Sequence, residues 1–128
     1  MEVADLKILL VDDDTFILKL LTKMLMNQGL KYITACDNGA DALDKMNDPV
    51  TCPDLILLDL NMPNMDGISL IKAVRGMAAH KFTPILMLTT ESSDDKKKEG
   101  QGAGATGWIV KPFNPDQMLA TIKKVLPG

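Results

Sequence analysis

Four short apolar runs in this chain end on residues that can do chemistry. Leu6 to Val11 runs into Asp12, Asp13 and Asp14, and Leu55 to Leu58 runs into Asp59. Ile85 to Leu88 ends at Thr89, and Trp108 to Val110 ends at Lys111. If the runs are neighbouring strands, these carboxylates, the hydroxyl and the ammonium converge on one rim. Two carboxylates about 4 Å apart repel by about 4 kcal/mol at an effective dielectric of about 20. Such a cluster raises its own pKa values or recruits a cation. Oxygen donors without histidine or thiol favour Mg2+ over zinc or copper, and Mg2+ commonly sits beside a phosphate. The competing reading is that these aspartates are helix caps and turn formers. That reading fits Asp14 or Thr15 best, because one of them must cap the helix that follows.

The elements that position these residues alternate along the chain. The near-continuous apolar runs read as strands buried on both faces. Tyr32 to Cys36 can add a fifth. Between them lie helical stripes. Ile17, Leu21, Met24 and Leu25 form the first, which Gly29 ends. Ala40 to Met46 follows the Asn38-Gly39 break, and Ile68, Ile71 and Val74 form a third stripe reaching toward Met77. Asn114 as N-cap, Pro115 at N1 and Gln117 at N3 open the last helix. Its apolar face is Met118, Leu119, Ile122, Val125 and Leu126. Alternating strands and helices predict an α/β, three-layer doubly wound parallel sheet. In such sheets ligands bind outside the carboxyl ends of the strands, where the chemical residues fall. One helix is weakly specified: residues 91–102 contain no apolar side chain. If helical, this segment is poorly anchored and mobile.

Composition narrows the function classes. The 128 residues fit one domain, 46% are hydrophobic and 24% charged, as in ordinary globular proteins. A net charge of −3 makes nucleic acid an unexpected partner, since such binding relies on neutralising phosphates. Cys36 and Cys52 lack metal or redox spacing and read as reduced thiols of a cytoplasmic protein. No signal peptide is visible, and no segment approaches the about 20 apolar residues of a membrane span. Gly100, Gly102, Gly104 and Gly107 do not form a GxGxxG loop. His80 reads as a loop residue, and the nine methionines as core filling.

Four motifs in order, LLVDDD, LILLDLNMPNMDG, ILMLTT and GWIVKPF, resemble the response-regulator receiver domain of two-component signalling. The resemblance runs from about Leu6 to Leu126 and is greatest to the stand-alone chemotaxis members. It implies a flavodoxin-like five-stranded sheet in the order 2-1-3-4-5. Asp59 would be the phosphoacceptor, receiving a phosphoryl group from a histidine kinase. Asp12 and Asp13 would hold Mg2+ with Asp59 and the backbone carbonyl of Asn61. Thr89 would hydrogen-bond the phosphoryl group, Lys111 would pair with it or with the resting carboxylate, and Trp108 would be the switch aromatic. Asn61 and Glu91 would tune dephosphorylation toward a short lifetime. The Lys111-Pro112 bond would be cis.

The residues support that chemistry independently. Phosphoryl transfer is mainly positioning and charge neutralisation, and a carboxylate facing a phosphate needs a cation between them. Mg2+ and Lys111 can supply the charge, and Thr89 a donor. Pro112 keeps Lys111 extended at its strand end. The expected protein is a monomeric single receiver domain over residues 1–128, with no output domain. It would be a phospho-switch, not a turnover enzyme, acting through an effector such as the flagellar motor switch, with a phosphatase as a further partner. A phosphorelay shuttle and a phosphate sink are alternatives. A haloacid-dehalogenase-type phosphatase fits less well, because Phe16 stands where its motif needs Thr. Lys96, Lys97 and Lys98 depart from the family pattern and read as a solvated face.

Overall fold

Each apolar run becomes a strand. The computed structural model describes residues 3–60, 66–89 and 94–126. β1 (Lys7–Val11), β2 (Tyr32–Cys36), β3 (Leu55–Asp59), β4 (Ile85–Thr89) and β5 (Gly107–Val110) form one parallel sheet in the order β2-β1-β3-β4-β5. This is the flavodoxin-like order that the resemblance implied. β3 and β4 are buried along their whole length, whereas the edge strand β2 is half-open.

Period-two alternation divides the side chains between two cores. Ile8, Leu10, Leu55, Leu57, Leu86, Leu88 and Ile109 face α1 (Thr15–Asn27) and α5 (Pro115–Val125). Leu9, Val11, Ile56, Leu58, Ile85 and Met87 face α2 (Gly39–Asn47) and α3 (Gly67–Arg75). Burying each Leu or Ile contributes about 1.5–3 kcal/mol, so both faces must be covered.

The helix starts obey local chemistry. Asp14, not Thr15, caps α1: its Oδ1 accepts from the backbone N–H of Phe16 at 2.9 Å and of Ile17 at 3.4 Å. Asn38 caps α2, Asp66 caps α3 and Asn114 caps α5, with Pro115 at the first turn. The α1 stripe keeps Leu21 and Leu25 of the expected four and adds Leu18. Leu18, Leu21 and Leu25 are buried, while Ile17 and Met24 only flank the core.

α4 (Asp94–Ala103) does form, although Gly100 is its one buried residue among those described. A Cβ at Gly100 would collide with the Met87 thioether, so the glycine lets the helix backbone rest directly on β4. Arg75 secures the far end. It donates through Nε to Gly104 O at 2.8 Å and through Nη1 to His80 O at 2.9 Å and Thr83 O at 2.7 Å. A point anchor and a guanidinium clamp thus replace an apolar stripe.

His80 is not a surface loop residue. It closes the 3-10 turn Ala78–His80 and is buried. Its Nδ1 lies 2.8 Å from Thr83 Oγ1 and its Nε2 lies 3.2 Å from Met46 O. It is a packing residue at the edge where β4 begins, opposite the chemical rim. Burial pushes the Cys36 thiol up to about 12, with Asp41 adding to the effect, so this thiol is inert at neutral pH.

Candidate functional site

Register sets the site. Val11 pairs with Leu58, Asp59 with Leu88, and Thr89 with Val110. Asp12, Asp59, Thr89 and Lys111 therefore reach the carboxyl rim at nearly one level. Backbone hydrogen bonds hold the exits: Asp12 N–H donates to Cys36 O at 3.1 Å, and Lys111 N–H to Thr89 O at 2.7 Å.

The rim is polar but shielded from water. Asp12 is 1% exposed, Asp59 3% and Thr89 0%. Asp12 Oδ1 accepts from Asp14 N–H at 2.9 Å, while among the described residues its buried Oδ2 has no hydrogen-bond donor. Lys111 Nζ donates to Asp59 Oδ2 at 2.8 Å, and its stem remains partly open to solvent. Burial pushes the Asp12 carboxyl up to about 7; the Asp14 N–H opposes this and neighbouring Asp59 adds to it. Asp13 is half-buried beside them. The peptide between Lys111 and Pro112 is cis, as the resemblance implied.

Asn61 and Glu91 lie outside the described residues. Among those described, no three His, Cys, Asp or Glu side chains enclose an ion by themselves. The donor chemistry nevertheless suits Mg2+. A buried carboxylate oxygen with no donor among the described residues, beside a second carboxylate, is what a hard cation with retained waters can satisfy.

Trp108 stands apart from the rim at 39% exposure. It pairs with Met87, two residues before Thr89, on the α3/α4 face of the sheet. The three lysines of α4 are not a uniform solvated face. Lys97 turns inward over the indole, with Nζ 5.4 Å from the ring centroid. Nothing in the spacing of the sequence marked this contact.

Residues 8–123 match the family of the response regulator receiver domain. The chain belongs to that family. As a receiver it is similar to the chemotaxis response regulator CheY4 of Vibrio cholerae, with 45% identity and a TM-score of 0.84 over 94% of this chain and 98% of that one. It is also 40% identical to the transcriptional regulatory protein PrrA of Mycobacterium leprae and 41% identical to the transcriptional regulatory protein CpxR of Escherichia coli. Those matches cover 97% and 94% of the receiver but 51% and 49% of the relatives, so the chain spans about half their length.

Proposed function

We propose that this receiver accepts a phosphoryl group on Asp59 from a phosphohistidine of a histidine kinase. An Asp59 carboxylate oxygen forms a bond to phosphorus as the P–N bond breaks, and the departing imidazole takes up a proton. The observation that carries this reading is the Lys111–Asp59 pair at 2.8 Å, set on a buried carboxylate beside the Asp12 carboxylate, whose Oδ2 has no donor among the described residues. Lys111 can follow the negative charge from the carboxylate onto the phosphoryl oxygens, and Thr89 can donate a hydrogen bond to them. Asp12 and Asp13, with Asp59 and the Asn61 carbonyl, would hold Mg2+. When bound, that ion neutralises charge between nucleophile and phosphate. Borohydride reduction of the phosphorylated protein tests the acceptor directly. The acyl phosphate becomes an alcohol, and peptide masses should place it at residue 59; an alcohol elsewhere overturns the assignment.

The output we infer is protein contact in chemotaxis, with the flagellar motor switch as effector. Its support is the 45% identity to CheY4, whose chain is matched over 98% of its length. Thr89 would be drawn toward the phosphoryl group, Trp108 would turn inward, and the face of α4, β5 and α5 would change. A second reading, the receiver part of a DNA-binding regulator, is favoured by PrrA and CpxR. Phosphorylation-dependent binding to a motor-switch protein supports the first reading, and its absence favours the second. Onward transfer to a histidine would instead indicate a relay. Residence in the cytoplasm agrees with the described helices, none of which is long and apolar enough to cross a membrane.

A further inference from the structure

We propose that Lys97 is a positioning residue for Trp108, holding the indole outward in the unphosphorylated protein. The role of Trp108 as a switch rests on the receiver reading above; the contact does not. Lys97 Nζ lies 5.4 Å from the ring centroid, within the about 6 Å over which a cation is drawn to an aromatic face. Its side chain is 16% exposed, whereas that of Lys96, one residue earlier on the same helix, is 54% exposed. A lysine gives up hydration and rotamer freedom to sit this way, so a partner must compensate. Asp94 Oδ1 stands 3.7 Å from the same ammonium and is 82% exposed. The cation therefore lies between a solvated carboxylate and the ring.

The placement follows from the strand register. Trp108 pairs with Met87, and Gly100 seats α4 on Met87. Lys97 is one turn before Gly100 and so reaches the indole beside that seat. Thr89 and Trp108 lie on the same face, two residues apart in register. No apolar residue of α4 precedes Ala103, and Lys97 sets its cation over the ring. Turning Trp108 inward must break this contact. A contact of this kind biases the outward ring about five-fold.

Trp108 is the sole tryptophan of the chain, so its emission reports the contact without ambiguity. The test uses the unphosphorylated full chain, with Lys97→Met, which keeps the stem and removes the charge, Lys97→Arg, which keeps a cation, and Lys98→Met as control. Lys97→Met should reduce acrylamide quenching of Trp108 and shift its emission to the blue. Lys97→Arg and Lys98→Met should behave as wild type. In wild type, the Lys97 Cε protons should show an upfield ring-current shift in the NMR spectrum. Wild-type quenching in Lys97→Met, or ordinary lysine shifts for Lys97, overturns the proposal. Both readouts are taken without phosphorylation, so failure of Asp59 to accept phosphate would refute the functional reading and leave this test intact.

Discussion

Lys111 Nζ donates to Asp59 Oδ2 at 2.8 Å, so the buried carboxylate of β3 is paired with a cation 52 residues further along the chain. The pair links the ends of β3 and β5, and the strand between them contributes Thr89. Replacing Lys111 with Met leaves Asp59 at 3% exposure without its cation. Breaking a well-buried pair from one side costs about 3–5 kcal/mol. Because Lys111 is itself partly open to solvent, the expected loss is smaller, about 1–3 kcal/mol in metal-free buffer. Denaturant unfolding checks this, and Mg2+ should restore part of the loss.

Asp12 predicts a pH dependence with a definite sign. Its carboxyl is raised from 3.8 to about 7, chiefly by burial, so the folded protein holds that proton more tightly than the unfolded chain. The resulting stabilisation is fully present below 3.8 and is lost as pH rises through about 7. Metal-free protein should therefore lose stability from this group as pH climbs across that window. Asp12→Asn should flatten the profile and stabilise the metal-free protein at pH 8 while weakening Mg2+ binding. Mg2+ binding requires the ionised carboxylate, so affinity should rise with pH until about 7 and then level. Unfolding and Mg2+ titrations over pH 5–8 measure both.

Arg75 is the main tie between α3, the turn before β4 and the end of α4. Its removal takes one donor group from Gly104 O, His80 O and Thr83 O together. Arg75→Ala should cost about 2–4 kcal/mol. Arg75→Lys should recover little, because one ammonium cannot reproduce the planar fork. Hydrogen exchange should show the amides of Gly104 and Ala105, which bond back to Gly100, opening first.

The strand-end rule made the rim legible before any coordinates. Asp12, Asp59, Thr89 and Lys111 each follow an apolar run, and parallel pairing then brings them to one level. What stayed hidden depends on distant backbone. Arg75 bonds mostly to carbonyls and His80 Nε2 meets the Met46 carbonyl, and carbonyls leave no trace in residue types. α4 was weakly specified because its anchors are a glycine on Met87 and the Arg75 clamp, neither of which produces a hydrophobic period. In α1, Leu21 and Leu25 are buried as expected, but Leu18 takes the place of Ile17, because both are apolar and only packing chooses between them.

Asn61 and Glu91 are proposed, from the family resemblance, to set how long the switch stays on. If they tune water attack as in fast-hydrolysing chemotaxis receivers, the phosphorylated form should last seconds to minutes with Mg2+ present. Loss of label after removal of the phosphodonor measures this. A half-life of many hours would remove these residues from that role.

The most direct test of the account is intact mass spectrometry after incubation with Mg2+ and a small phosphodonor, for wild type and Asp59→Asn. Wild type should gain one phosphoryl group and Asp59→Asn none, and chelating Mg2+ should abolish the gain. Equal phosphorylation of both proteins would place the acceptor elsewhere and contradict the site derived from the strand ends.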